Sequence, residues 1–193
     1  MSSTNPVVSE LSPEVSGDYL IDTTHSRIGF VARHAMVTKV RGTFNQFDGQ
    51  LTLDAQEPTK STAAVTIDVA SVDTRNDYRD GHLRTNEFFD VENHPQITFR
   101  STSVERTGES TFRMTGDLTI KGVSRQVDID WEFAGLAKDP MGNVRAGFEG
   151  TAQINRSDFG INFNAALETG GVMVSEKIGL DFDISAVKTV PEQ

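Results

Sequence analysis

The sequence predicts an all-β fold: an eight-stranded antiparallel β-barrel with one short helical insert. Three observations carry that expectation. From Tyr19 onward apolar and polar residues alternate with period two, as they do along strands that bury one face. Turn signals such as Thr107-Gly108-Glu109-Ser110 and Lys121-Gly122 join neighbouring runs closely enough to make them antiparallel. One stretch, Asp77 to Ser101, abandons the alternation and breaks the pattern in two.

Before that stretch, Ile28, Phe30 and Ala32 share a face opposite Arg27 and Arg33. Val40 to Thr43 leads into Phe44, and Phe47, Gly49, Leu51 and Leu53 then alternate with Asp48, Gln50, Thr52 and Asp54. The change of phase between Phe44 and Phe47 predicts a bulge or turn at Asn45-Gln46. Glu57-Pro58 ends the run, and Ala63, Val65, Ile67 and Val69 oppose Thr66 and Asp68. Within the insert, Asn76 or Asp77 caps a short helix with Asp80 in its first turn and Arg84 in its last, which suits the helix dipole. Thr85 caps a second short turn carrying Phe88 and Phe89, and Pro95 starts a new strand.

The alternation resumes with Ile97 and Phe99, then Phe112, Met114, Gly116, Leu118 and Ile120. Val127, Ile129, Trp131 and Phe133 follow, and a longer loop spans Lys138 to Asn143. Ala146, Phe148, Gly150, Ala152 and Ile154 form another strand, as do Ile178, Leu180, Phe182, Ile184 and Ala186. Between them, Asn162 to Glu176 reads as a loop or loose strand with Gly170-Gly171 inside it. Such strands can make a sandwich or a closed barrel. Closure removes the edges, and glycines within or beside strands (Gly29, Gly42, Gly49, Gly116, Gly147, Gly150) fit barrel bends, so the barrel is preferred.

One domain is expected over residues 17–188, behind a flexible polar arm at 1–16 and ahead of a tail at 189–193. A charged fraction of 24% against 36% hydrophobic residues places the chain in the ordinary soluble class. The net charge of −10, with no run of Lys or Arg longer than two, excludes a nucleic-acid partner that needs a basic stripe. No run approaches the roughly 20 apolar residues of a membrane-spanning helix, so stable membrane insertion is not expected. Met1 to Ser16 lacks the basic start and apolar centre of a signal peptide, and the chain reads as cytoplasmic.

The absence of cysteine rules out disulfides, thiol catalysis and Cys-based metal sites. His25, His34, His82 and His94 show no pair at helical metal-ligand spacing, and no metal or cofactor site is predicted. No Gly-x-Ser-x-Gly elbow, phosphate loop or dinucleotide fingerprint occurs, and most carboxylates fall on the polar face of strands. No catalytic residue is assigned. Inward Phe30, Phe99, Phe112, Trp131, Phe148 and Phe182 either fill a core or line a cavity, and periodicity does not separate the two. The insert favours a cavity, because a filled barrel needs no lid.

Asn76-x-x-Arg79-Asp80-x-His82-Leu83, Phe88-Phe89-Asp90 and Pro95-x-Ile97-Thr98-Phe99-x-Ser101 resemble the signature of the YceI-like family. So do Asp22-x-x-His25-Ser26-x-Ile28-x-Phe30, Gly116 to Ser124, Arg145-Ala146-Gly147-Phe148 and Phe159-Gly160, and the likeness runs from Gly17 to Lys188. The resemblance implies a lipocalin-like barrel that binds, stores or transports a polyisoprenoid lipid, a prenylated quinone or its precursor. It also implies a non-enzymatic protein, in a family whose members are often homodimers. Many members carry a signal peptide, which this sequence does not show. On this reading Ile28, Phe30, Ile67, Leu83, Phe99, Leu118, Trp131, Phe148 and Phe182 hold the tail. Arg79, His82 and Arg84 are expected to meet the head group at the mouth. Two alternatives stay open: an enzyme of quinone or small-molecule metabolism using His82 or His25 with a carboxylate, and a stress-related protein with a filled barrel.

Overall fold

The computed structural model describes residues 11–168 and 171–189. Eleven strands form one sheet: β1 (Gly17–Ile21), β2 (Arg27–His34), β3 (Thr38–Phe44), β4 (Phe47–Leu53), β5 (Thr62–Asp68), β6 (Val72–Asp73), β7 (Gln96–Arg106), β8 (Thr111–Ile120), β9 (Val123–Lys138), β10 (Val144–Asn155) and β11 (Lys177–Lys188). One α-helix, α1 (Asp77–Arg84), lies between β6 and β7.

Six of these strands are halves of longer ones. β1 and β2 lie end to end along one edge of β11, opposite its later and earlier residues respectively. β4 pairs with β1 and β3 with β2, and in turn β5 pairs with β4 and β6 with β3. The chain thus makes three long strands, each broken once, followed by β7 to β11 in sequence order. That is an eight-stranded antiparallel up-and-down barrel, closed where β1 and β2 meet β11. The expected fold class stands.

Local chemistry explains the breaks. Between β1 and β2, Asp22 Oδ1 accepts the Thr24 amide at 3.1 Å, an Asx turn that takes the backbone out of the ladder. The break after β3 falls at Asn45-Gln46, where the phase change predicts it. It is shared with the next one: Ser71 Oγ accepts the Gln46 amide and donates to the Asp68 carbonyl. Asp68 also caps a 3-10 turn, Val69–Ser71, that ends β5 and buries Val69 almost completely.

The barrel has two different ends. At one, the insert crosses the opening beyond β6. Asn76 caps α1 by accepting the Arg79 amide at 3.0 Å, and Asp80, buried in the first turn, accepts from the Thr74 amide and hydroxyl. In the β8–β9 turn, Lys121 and Gly122 both take positive φ, a mirror-image turn that matches the strand twist, and Lys121 Nζ reaches back to the Asn86 carbonyl. Phe88, Phe159 and Ile161 bury themselves beneath these segments. The Asn162–Glu176 stretch is irregular, held by isolated bridges His34 to Val174 and Ala166 to Val172, and Gly170 lies outside the described residues.

At the other end the described part of the arm meets the barrel. Residues 1–10 of the expected arm and 190–193 of the tail lie outside the described residues, but Leu11 to Ser16 pack onto the barrel. Pro13 opens a 3-10 turn, Pro13–Val15, at the position where its missing N–H costs nothing. Val15 is 4% exposed, and its carbonyl accepts the hydroxyl of the buried Tyr19 at 2.8 Å. Thr189, first residue of the expected tail, donates its amide to the Asp18 carbonyl at 2.8 Å.

Candidate ligand cavity

Period two sends one face of every strand inward, and these faces do not meet in the middle. They enclose a cavity of about 180 Å³, lined almost wholly by aliphatic and aromatic side chains. Ile28, Phe30, Ile67, Phe99, Leu118, Trp131, Phe148 and Phe182 are all in its wall. Leu83 is not. It packs against the core from α1.

Three glycines keep the interior open. Phe30 lies over Gly42, Phe99 over Gly116 and Trp131 over Gly150, each ring occupying the space where a Cβ would project from the glycine. Phe30–Gly42 and Trp131–Gly150 are direct cross-strand partners. A large ring that lies along the wall adds apolar surface without filling the lumen. The indole Nε1 of Trp131 is buried without a hydrogen-bond partner among the described residues, between the rings of Phe148 and Phe182 at 6.3 and 5.6 Å.

The cavity opens at the end where the chain starts. Its polar lining residues are Asp54 and Ser61, in the β4–β5 connection, and Thr62 at the start of β5, beside Leu11, Val15 and Pro58. Thr62 is exposed and Leu11, Asp54, Pro58 and Ser61 are half-buried, whereas Phe44, Ile67, Ile97 and Ile120 at the far end are buried. The far end is therefore a floor. Asp54 Oδ1 accepts the amides of Gln56 and Glu57 at 3.0 and 2.9 Å, and the Asp54 amide donates to Ser61 Oγ at 3.0 Å. These bonds fix the rim.

The expected head-group residues lie beyond the floor and do not line the cavity. Arg79 donates Nε and Nη2 to the hydroxyl and carbonyl of Thr74 at 2.7 and 2.8 Å. Arg84 donates to the carbonyls of Ala70 and Val72 at 3.0 and 3.3 Å. Both guanidiniums satisfy backbone that the broken strand leaves unpaired. His82 pairs with Glu87 and meets Phe88 and Phe163 edge-on at 5.0 and 4.9 Å. Their placement at the mouth fails for a physical reason: the insert closes the barrel and does not rim its opening. What the sequence reading misses is the real rim. Its signal is Ser12-Pro13-Glu14, a hydroxyl cap, a proline and an acid that together start a turn between two apolar residues, Leu11 and Val15.

Two other charged clusters are structural. Arg156, 5% exposed, donates to the carbonyls of Ser175, Ile161 and Phe163 at 2.8, 2.9 and 2.7 Å, and more distantly to Val174. Burial pushes its guanidinium pKa down. Near the mouth but on the outer face, Arg145 donates to Asp22 at 2.6 Å and to Asp139 at 3.0 Å, while His25 Nδ1 lies 2.8 Å from Asp22. The Arg145 hydrogen bond, with those of Thr24 and His25, holds the Asp22 carboxyl well below the usual carboxylate range. Among the described residues no cluster of His, Asp and Glu has the makings of a metal site, and no helix is long and apolar enough to cross a membrane.

Comparison with known proteins agrees with this architecture. The family model for a YceI-like domain matches residues 19–186. A UPF0312 protein of Staphylococcus epidermidis is 44% identical over 166 residues, which cover 86% of this chain and 93% of the relative. The crystal structure of Burkholderia cenocepacia BcnA superposes with a TM-score of 0.76 at 26% identity, over 86% of this chain and 98% of that one. A polyisoprenoid binding domain from Saccharophagus degradans, implicated in plant cell wall breakdown, shares the fold with a TM-score of 0.67 at 17% identity, over 89% and 98% of the two chains.

Proposed function

The chain belongs to the YceI-like family, and from that premise we propose that its barrel binds, stores or transports a polyisoprenoid lipid, a prenylated quinone or a precursor of one. The observation that carries the reading is the cavity: a floor and walls of aliphatic and aromatic side chains, with polar residues only at the rim. Such a lining offers an isoprenoid tail about 0.8 kcal/mol per buried carbon-sized group and needs few polar contacts to hold it. The polyisoprenoid binding domain that shares this fold supports the same ligand class.

The role is non-enzymatic on this reading. The two histidine–carboxylate pairs, His82 with Glu87 and His25 with Asp22, lie outside the cavity wall, so neither meets a molecule held there. The free space is smaller than the roughly 300–1,000 Å³ of common small-molecule pockets. A long tail is therefore accommodated by movement of the half-buried rings Trp131, Phe148 and Phe182. Organic extraction of the purified protein, followed by mass spectrometry, tests the proposal. A prenyl lipid in stoichiometric amount is expected. Protein that carries none, and binds no added prenylquinone, overturns it.

A further inference from the structure

We infer that the cavity selects lipids with an uncharged polar end and rejects prenyl phosphates and diphosphates. The inference rests on the lipid-binding reading above and narrows its ligand class. Among the described residues the wall and rim contain no Lys, Arg or His, and the one ionisable side chain of the lining is the carboxylate of Asp54. An anionic head has two places to go, and the structure serves it in neither.

Inside the barrel, a phosphate loses its water and gains no counter-ion. Burying an unpaired anion in apolar surroundings is strongly unfavourable, so a diphosphate does not travel to the floor. The remaining unpartnered donor of the wall, the indole N–H of Trp131, carries no charge to balance one. At the mouth, the head faces Asp54 itself. Of the cations at this end, Lys60 pairs with Glu57 at 3.0 Å, Lys188 with the Glu14 carbonyl at 2.8 Å and Arg106 with the Gly108 and Glu109 carbonyls, while Lys138 lies in a separate cleft with Glu14 and Lys188, outside the lining. Glu14 and Glu57 add like charge on the two segments flanking the opening. A neutral quinone, phenol or alcohol meets none of these penalties. The hydroxyls of Ser61 and Thr62 stand at the rim to meet its oxygen.

The test compares geranylgeraniol with geranylgeranyl diphosphate, which share one tail and differ in the head. Both are titrated below their aggregation thresholds against the single tryptophan, Trp131, whose fluorescence reports occupancy of the wall. The alcohol is expected to bind at least about ten-fold more tightly at low ionic strength, since like charges at the rim are poorly screened there. Added salt narrows the gap by strengthening the diphosphate alone. Thr62→Lys, which puts a cation on the exposed rim position, tightens diphosphate relative to the alcohol. Asp54→Asn also narrows the gap while keeping an Oδ1 acceptor for the Gln56 and Glu57 amides. Equal or tighter diphosphate binding in the native protein overturns the inference, and its loss on Lys60→Ala would assign the head to Lys60. Failure of both lipids to bind overturns the lipid-binding reading instead.

Discussion

At the scale of single residues, the openness of the barrel depends on positions that have no side chain. A Cβ at position 150 would stand 2.5 Å from Cε3 and Cζ3 of Trp131, too close for either to stay. The backbone of Gly150 is ordinary extended strand, so alanine there is not strained and only the ring must move. Gly150→Ala is expected to cost about 1–3 kcal/mol by overpacking. It should also weaken prenylquinone binding as the indole swings into the lumen. Denaturant melts and a fluorescence titration measure the two effects, and an unchanged emission spectrum would show that the ring does not lie on Gly150. The folded-state pKa of Asp22 is depressed, first by Arg145, so its contribution is complete above the normal carboxylate pKa and is lost as pH falls through the depressed value. Stability should decline more steeply below about pH 4 in the native protein than in Asp22→Asn. Parallel curves for the two proteins would mean that the Arg145 pair adds nothing.

At the scale of elements, what is legible in the sequence is what local pattern determines. The inward rows on β7 to β11 follow from alternation, the break at Asn45-Gln46 from a phase change, and the start of α1 from an asparagine that caps it. The destinations of arginines are not legible. Arg79 and Arg84 read as donors for a ligand, yet they end on carbonyls of Thr74, Ala70 and Val72, and nothing in a sequence marks a carbonyl left without a ladder partner. Arg156 shows the same logic most fully, pinning the irregular 161–175 segment by its carbonyls. Its Nε, Nη1 and Nη2 each reach different carbonyls, a spread that the single nitrogen of a lysine does not provide. Arg156→Lys and Arg156→Met are each expected to destabilise the protein by about 3 kcal/mol or more, the cost of several buried carbonyls losing their donor. Amide exchange should accelerate first in residues 161–176. Uniform acceleration across the barrel would show that the segment is not an independent unit held by this side chain.

At the scale of the whole molecule, alternation specifies a barrel but not which end is open, because the ends are set by packing between residues far apart in sequence. Leu11, Val15, Ala63 and Val104 come from three separate stretches of chain to line the cavity, while Phe88, Phe159 and Phe163 gather from separate segments to close the other end. Hollow or filled is likewise a property of the assembled barrel, and a single enlargement distinguishes the two. Ala152 belongs to an inward row but does not reach the lining, so it is the wrong probe. Ala63 is 8% exposed and lines the cavity near the rim. In a filled interior, Ala63→Phe would force neighbours off their rotamers at a cost of about 1–3 kcal/mol. In the hollow barrel the new ring takes space otherwise open to a ligand, so the ligand-free variant should melt within a few degrees of the native protein. Its affinity for a long-chain prenylquinone should fall, and the fall should deepen with tail length, because longer tails reach further past the obstruction. The decisive measurement pairs thermal unfolding of the ligand-free variant with titration by prenylquinones of increasing length. A marked loss of stability with affinity unchanged at every length would mean that the space between these walls does not receive the tail.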